Sequence, residues 1–224
     1  FFKVLYRLGM DPLGDDGLNC AVLKYFNDEV NVLKGIGGDG IPQFIDTLKI
    51  RDSLGRISKC IVMEHFSGRS FADLIREDAN VSEGVCLDYL VQSLEIVDRI
   101  HTTKIRPTVV RDIKPSHIIV RENGRIGLID FGTATSDINQ TLGQTMAVGT
   151  PGYAPLEQLA GYPVPASDIY ALGRTFYRLL AGHSVNEADM AKRDLDFSKI
   201  PNASPKLIYI LRKMTEEKVG DRYQ

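Results

Sequence analysis

The sequence predicts an α+β fold, a small strand-rich front followed by a larger helical back. Two observations carry this. Before residue 66 most apolar stretches are short, β-prone and separated by turn residues. From Gly68 onward apolar residues recur three and four apart over long windows. A third observation locates the chemistry: two short apolar runs joined by a turn bring two aspartates to one end of a hairpin.

In the front, Phe1–Leu8, Cys20–Phe26 and Lys59–Phe66 read as strands. Between the last two, Phe26, Val30, Leu33 and Ile36 have helical spacing, and Gly37-Gly38-Asp39-Gly40 ends that helix. Glu64–Arg69 contains Ser67-Gly68 and reads as a hinge. In the back, Val85–His101 carries Leu87, Leu90, Val91, Leu94, Val97 and Ile100 on one face. Ser167–Ala181, with Ile169, Leu172, Phe176, Leu179 and Leu180, is a second amphipathic helix, and Leu207–Met214 a third. Ile118–Arg121 and Ile126–Ile129 flank Glu122-Asn123-Gly124-Arg125, where Asn-Gly favours a tight hairpin turn.

Composition excludes several function classes. The 224 residues are 43% apolar and 25% charged, ordinary for a soluble protein. A net charge of −2 gives no global basic field, so nucleic acid and membrane surfaces are not expected partners. Cys20, Cys60 and Cys86 are odd in number and widely spaced, which fits neither a disulfide framework nor a zinc motif. Free thiols in a reducing compartment, and a cytoplasmic location for this domain, are the expectation. No apolar run approaches the roughly 20 residues that span a bilayer. The chain begins at Phe1 without a signal peptide and reads as a domain excised from a longer protein.

Antiparallel pairing of the hairpin puts Asp112, before its first strand, beside Asp130, after its second. Arg111 and Lys114 share that end. Phosphoryl transfer needs a metal on phosphate oxygens, a cation on the phosphates and a group that orients the attacking hydroxyl. Asp130 suits Mg²⁺, a hard cation that takes oxygen ligands. Asp112 suits the hydroxyl proton, and Lys114 the transferring phosphate.

Four motifs occur in order: Val109–Val120 around Arg-Asp-Ile-Lys-Pro, Ile129-Asp-Phe-Gly132, Gly149-Thr-Pro-Gly-Tyr-Ala-Pro-Leu-Glu-Gln158 and Ser167-Asp-Ile-Tyr-Ala-Leu-Gly173. This series resembles the catalytic loop, metal-binding loop, activation-segment end and following helix of eukaryotic-type Ser/Thr protein kinases, with the bacterial branch nearest in wording. The resemblance runs from about Leu5 to Tyr223. It implies one bilobal kinase domain over 1–224, with residues 1–64 as N-lobe, 65–68 as hinge and 69–224 as a C-lobe that ends short. It implies ATP and Mg²⁺ as cofactors, with Mn²⁺ as an alternative. Protein substrates, including a second copy for autophosphorylation, are the implied partners.

Carried over by residue, Asp112 is the catalytic aspartate, Asp130 the metal ligand, and Lys114 with Thr150 the Ser/Thr-type pair beside Asp112. Arg111 would meet a phosphorylated activation segment, with Thr141 and Thr145 as phosphosites. Glu157 would pair with Arg222, and Asp168 would hold the catalytic-loop backbone. Ala21-Val-Leu-Lys24 resembles the strand whose lysine holds the α- and β-phosphates, and Glu29 the helix glutamate that pairs with it. Ala21, Met63 as gatekeeper, and the backbone at Glu64 and Phe66 would line the adenine site.

The pattern departs from the family at four places. His117 stands where an asparagine ligates the second Mg²⁺, and imidazole nitrogen suits Mn²⁺ better. Val110 replaces a bracing histidine. Gly9 and Gly14 have the spacing of a phosphate-binding glycine loop, but the middle position is Asp11, which repels phosphate. The front lobe is also short between Gly14 and Glu29, and the reading taken is that residues are absent from the sequence there. His117 and Asp11 motivate the alternative, a pseudokinase or weakly active nucleotide-binding module.

Overall fold

The computed structural model describes residues 2–5, 16–51, 53, 57–103, 108–134 and 148–223, with the backbone alone over 2–5, 16–25 and 57–58. The described elements run β1 (Phe2–Leu5), α1 (Asp16–Gly35), β2 (Phe44–Arg51), β3 (Ile57–Glu64), β4 (Gly68–Ser70), α2 (Phe71–Arg76), α3 (Glu83–His101), β5 (Ile118–Arg121), β6 (Ile126–Leu128), α4 (Leu156–Leu159), α5 (Pro165–Ala181), α6 (Glu187–Met190) and α7 (Pro205–Met214). One antiparallel sheet has the order β1-β3-β2 and belongs to the front. A second, β4-β5-β6, holds the hairpin at the junction with the helical back.

The front differs from expectation. Cys20–Phe26 is not a strand but part of α1, so Ala21 and Lys24 lie on a helix. The physical reason is continuity. No glycine or proline interrupts Leu18–Lys34, and only Tyr25–Asp28 separate Lys24 from Glu29, too little chain to turn from a strand into a helix. Lys24 and Glu29 are thus five apart on one helix, where neighbours are three or four apart. The strand-to-helix arrangement implied for that pair is absent. β2 is a further strand that the sequence reading missed, and β3 ends at Glu64 rather than Phe66. Gly9 and Gly14 lie outside the described residues.

The helical back follows from its pattern and its caps. Ser70 opens α2 with a capping box, its hydroxyl accepting from the Asp73 amide at 3.1 Å while Asp73 accepts from the Ser70 amide at 2.9 Å. Ser82 and Ser204 open α3 and α7. Glu83, in the first turn of α3, accepts from both the amide and the hydroxyl of Ser204, at 2.6 and 2.5 Å, and so ties the starts of the two helices. α5 is buried along nearly its whole length. Phe176 meets Phe71 of α2 edge-on, centroids 5.3 Å apart, which packs α5 against α2.

The hairpin positions the site. Ile118 pairs with Leu128, Ile119 with Gly127 and Val120 with Ile126. One step further, the Ile129 amide donates to the His117 carbonyl at 2.9 Å. That extra bond carries Asp130 directly opposite the loop of Asp112. Gly127 is required by close approach: a Cβ there would sit 2.3 Å from the ring of Phe66. The same ring lies under the Arg121 guanidinium, 4.6 Å from its centroid. The strand following the hinge is thereby clamped to the hairpin.

Candidate active site

Asp112 is held on both carboxylate oxygens. The Thr150 hydroxyl donates to Oδ1 at 2.6 Å and Lys114 Nζ to Oδ2 at 2.8 Å. Lys114 Nζ also donates to Thr150 Oγ1 at 3.0 Å, which closes a three-membered ring of contacts. The Asp112 side chain keeps 13% of its surface exposed.

The loop under Asp112 is built by buried polar groups. Asp168, fully buried at the start of α5, accepts from the Val110 amide at 2.8 Å and the Arg111 amide at 2.9 Å, and meets His101 Nε2 at 2.7 Å. Arg111 has φ 70°, a left-handed conformation unusual for a side-chain-bearing residue. These bonds hold the strained backbone there. Gln158 Nε2 donates to the Arg111 carbonyl at 2.6 Å and to the Val148 carbonyl at 2.8 Å. It therefore ties the segment of Asp112 to the segment of Thr150. Arg111 Nε donates to the Thr133 carbonyl, while the Thr133 hydroxyl donates to the Val110 carbonyl at 3.0 Å. Thr141 and Thr145 lie outside the described residues.

Opposite Asp112, Asp130 also has φ 69°, and its Oδ1 accepts from the Gly132 amide at 3.2 Å. His117 sits between the aspartates. Its Nδ1 is 2.9 Å from the Asp112 carbonyl, which can only accept, so Nδ1 carries the proton. Burial holds the imidazole below its usual pKa, Lys114 adds to this, and Asp130 and Asp112 oppose it. The neutral ring therefore presents a bare Nε2 to Asp130 Oδ2, 3.4 Å away. Among the described residues no group of three or more His, Cys, Asp or Glu is placed to hold a metal ion. The protein side of this place offers two donors, one nitrogen and one oxygen.

Glu29, at the middle of α1, is fully buried and accepts from the Phe131 amide at 3.3 Å through Oε1. Its Oε2 is buried without a hydrogen-bond partner among the described residues. Burial pushes this carboxyl up to about 8, with the Asp130 charge adding to the rise and the Phe131 bond opposing it. The folded protein thus keeps Glu29 protonated where the unfolded chain, near its ordinary 4.5, ionises. The stability contributed by Glu29 is complete below about pH 4.5 and is lost as pH rises through about 8. Glu29→Gln is expected to melt about 5 °C above the wild type at pH 8.5 and within about 1 °C of it at pH 4.5. Melting curves by circular dichroism across that range check this. Equal pH profiles for the two proteins would contradict the buried protonated carboxyl.

At the hinge, Met63 is buried in β3, and Phe66 is buried against Gly127. The Glu64 amide donates to the Gln43 carbonyl at 2.9 Å. The structure brings Asp112, Lys114, Thr150, His117 and Asp130 together, with Glu29 behind Phe131. The side chains of Ala21 and Lys24 lie outside the described residues. Sequence reasoning missed His101, Thr133 and Gln158. Gln158 directly follows the paired Glu157, which was the available signal.

Strands in front, helices behind and an interlocked aspartate loop at the junction define a protein kinase domain. Residues 17–223 match the protein kinase domain family, and the chain belongs to it. It is 35% identical over 176 residues to serine/threonine-protein kinase B of Synechocystis sp., covering 73% of this chain and 30% of that protein. It is 31% identical over 204 residues to the serine/threonine-protein kinase PknA of Corynebacterium glutamicum, covering 90% and 43%. With the PknA of Nostoc sp. it shares 34% identity over 136 residues, covering 58% and 24%. The chain thus spans less than half the length of these relatives. No helix among its described residues is long and apolar enough to cross a membrane.

Proposed function

We propose that this domain transfers the γ-phosphate of ATP to serine or threonine hydroxyls of proteins. The observation that supports this best is the Asp112–Lys114–Thr150 ring, which fixes one partly exposed carboxylate and keeps a cation beside it. Asp112 orients the hydroxyl and accepts its proton. Lys114 stabilises charge on the transferring group, and Asp168 and Gln158 fix the loop that carries both.

His117 Nε2 and Asp130 fit a divalent ion that completes its coordination with nucleotide phosphates and water. Adjacent donors on an octahedral ion at roughly 2.1 Å each are about 3.0 Å apart, so the 3.4 Å separation needs a small inward shift of the two side chains. Such an ion supplies charge neutralisation at the phosphate oxygens. A nitrogen donor favours Mn²⁺ over Mg²⁺. The wild type is expected to phosphorylate at least about tenfold faster in Mn²⁺ than in Mg²⁺, and His117→Asn to remove that preference. A preference for Mn²⁺ that survives the substitution would place its origin elsewhere.

Met63 and the backbone at Glu64 and Phe66 are carried into this reading as the groups that would meet the adenine edge. Lys24 is not assigned the phosphates, because α1 does not offer the strand that role needs. The test of the whole reading is transfer of label from γ-labelled ATP to a threonine-containing peptide in each metal. Nucleotide binding without transfer in either metal would turn the reading to a nucleotide-binding pseudokinase.

A further inference from the structure

Beside the Asp112 ring lies a concavity of about 550 Å³, bordered by α2, the Lys114 loop, Thr150–Tyr153 and the segment from the end of α5 to the start of α6. Lys114 and Thr150, which hold Asp112, form part of its wall, so it adjoins that aspartate. Its charges are lopsided. Arg76, Lys114 and Arg178 are cations and His183 is a titratable base, while Glu187 is the one carboxylate in the lining. This contrasts with the chain as a whole, which carries a net charge of −2. Tyr153 contributes a neutral hydroxyl, burial having pushed it up to about 12.

We propose that this concavity binds a carboxylate side chain of the protein substrate, making the domain selective for serines and threonines with a nearby aspartate or glutamate. The inference rests on the kinase reading and deepens it. Arg76 donates to Asp73 at 2.6 Å, but that pair is exposed on the surface, its arginine 71% exposed, and such pairs contribute little and exchange readily. Arg178, half-buried at the end of α5, is anchored by one guanidinium nitrogen on the Gly182 carbonyl. Two guanidinium groups suit carboxylate recognition because their planar N–H groups match both oxygens. Lys114 is paired with Asp112 and Arg76 with Asp73, whereas Arg178 is held by a carbonyl, so Arg178 is the cation that a substrate carboxylate would neutralise and a substrate lysine or arginine would be repelled by. A sphere of the cavity's volume is roughly 10 Å across, which is about three residues of extended chain. The acid therefore lies within about three positions of the phosphoacceptor.

The experiment uses fluorescein-labelled peptides with one threonine, in which aspartate, asparagine or lysine is placed at each of the three positions on either side. Binding is read by anisotropy and transfer by labelled ATP, on the same peptides. At one or two positions aspartate is expected to bind about tenfold tighter than asparagine and lysine weaker than both, with the discrimination shrinking in 0.5 M salt. Arg178→Gln is expected to bring the aspartate-to-asparagine ratio close to one. Arg76→Gln, at an exposed position that keeps a helix-forming side chain, is expected to lower it about threefold. Equal affinities for aspartate and asparagine at every position, or no binding by any peptide, overturns the proposal. Because anisotropy needs no transfer, discrimination without transfer sinks the kinase reading while this one stands, and transfer without discrimination does the reverse.

Discussion

Asp112→Asn is expected to lower the rate of phosphate transfer by about 10³-fold and to leave the fold intact. The amide keeps an oxygen for the Thr150 hydroxyl, so the 2.6 Å contact survives. What it loses is the basic oxygen that takes a proton, and with it the charge that holds Lys114 Nζ at 2.8 Å. The loop itself does not depend on Asp112, since Asp168 and Gln158 hold its backbone from below. A single-turnover measurement with labelled ATP, paired with a melting curve, separates the two effects. A variant that retains more than about a tenth of wild-type transfer removes Asp112 from the role of proton acceptor.

The second large effect concerns stability. Arg222 has a fully buried side chain and pairs with Glu157 through two nitrogens, at 2.6 and 3.2 Å. It also donates to the carbonyls of Glu216, Ala166 and Glu217. Burial alone would raise the Glu157 carboxyl, but hydrogen bonds from Arg222 and Ser167 hold it below its ordinary range. Arg222→Ala leaves the half-buried Glu157 carboxylate with the Ser167 hydroxyl but without its cation, removes the Arg222 bond from three carbonyls, and is expected to cost about 3–5 kcal/mol. That corresponds to a fall in Tm of roughly 10 °C or more for a chain of this size. Because a depressed carboxylate contributes stability that is lost as pH falls through its folded pKa, the wild-type advantage over the variant should shrink in acid. Chemical denaturation at neutral pH and near pH 3 measures both. A loss of under about 1 kcal/mol at neutral pH would show that the pair is replaceable.

The back of the molecule was legible because its signals are local. The apolar spacing marks α3, whose buried face holds Leu90, Val97 and Ile100 of the expected residues with Cys86, Ser93 and Ile96, while Val91 turns to solvent, and Asn123-Gly124 marks the turn that brings the two aspartate loops together. The ordered motifs then named Asp112, Lys114, Thr150, Asp130, Asp168 and the Glu157–Arg222 pair. The braces were not legible, because each joins residues far apart in the chain. His101 meets Asp168 across 67 positions and Gln158 meets Arg111 across 47, and neither has a local pattern to announce it. In the front, Cys20-Ala-Val-Leu-Lys24 has strand-like composition, yet the unbroken stretch through Leu33 forms one helix. Composition without a breaker is weak evidence for a strand. β2 was missed for the opposite reason: along Ile45–Arg51 it is exposed on both faces, so no buried stripe alternates along it.

The position of Arg222 also has a consequence for the order of events on the ribosome. Its partner Glu157 is made 65 residues earlier. At roughly 5–20 residues per second, that carboxylate emerges roughly 3–13 s before the guanidinium that neutralises it. During that interval the segment from Thr150 to Gln158, which braces the catalytic loop, lacks its far anchor. The Arg222 anchor is thus added to that segment only after both sheets and α5 have been made.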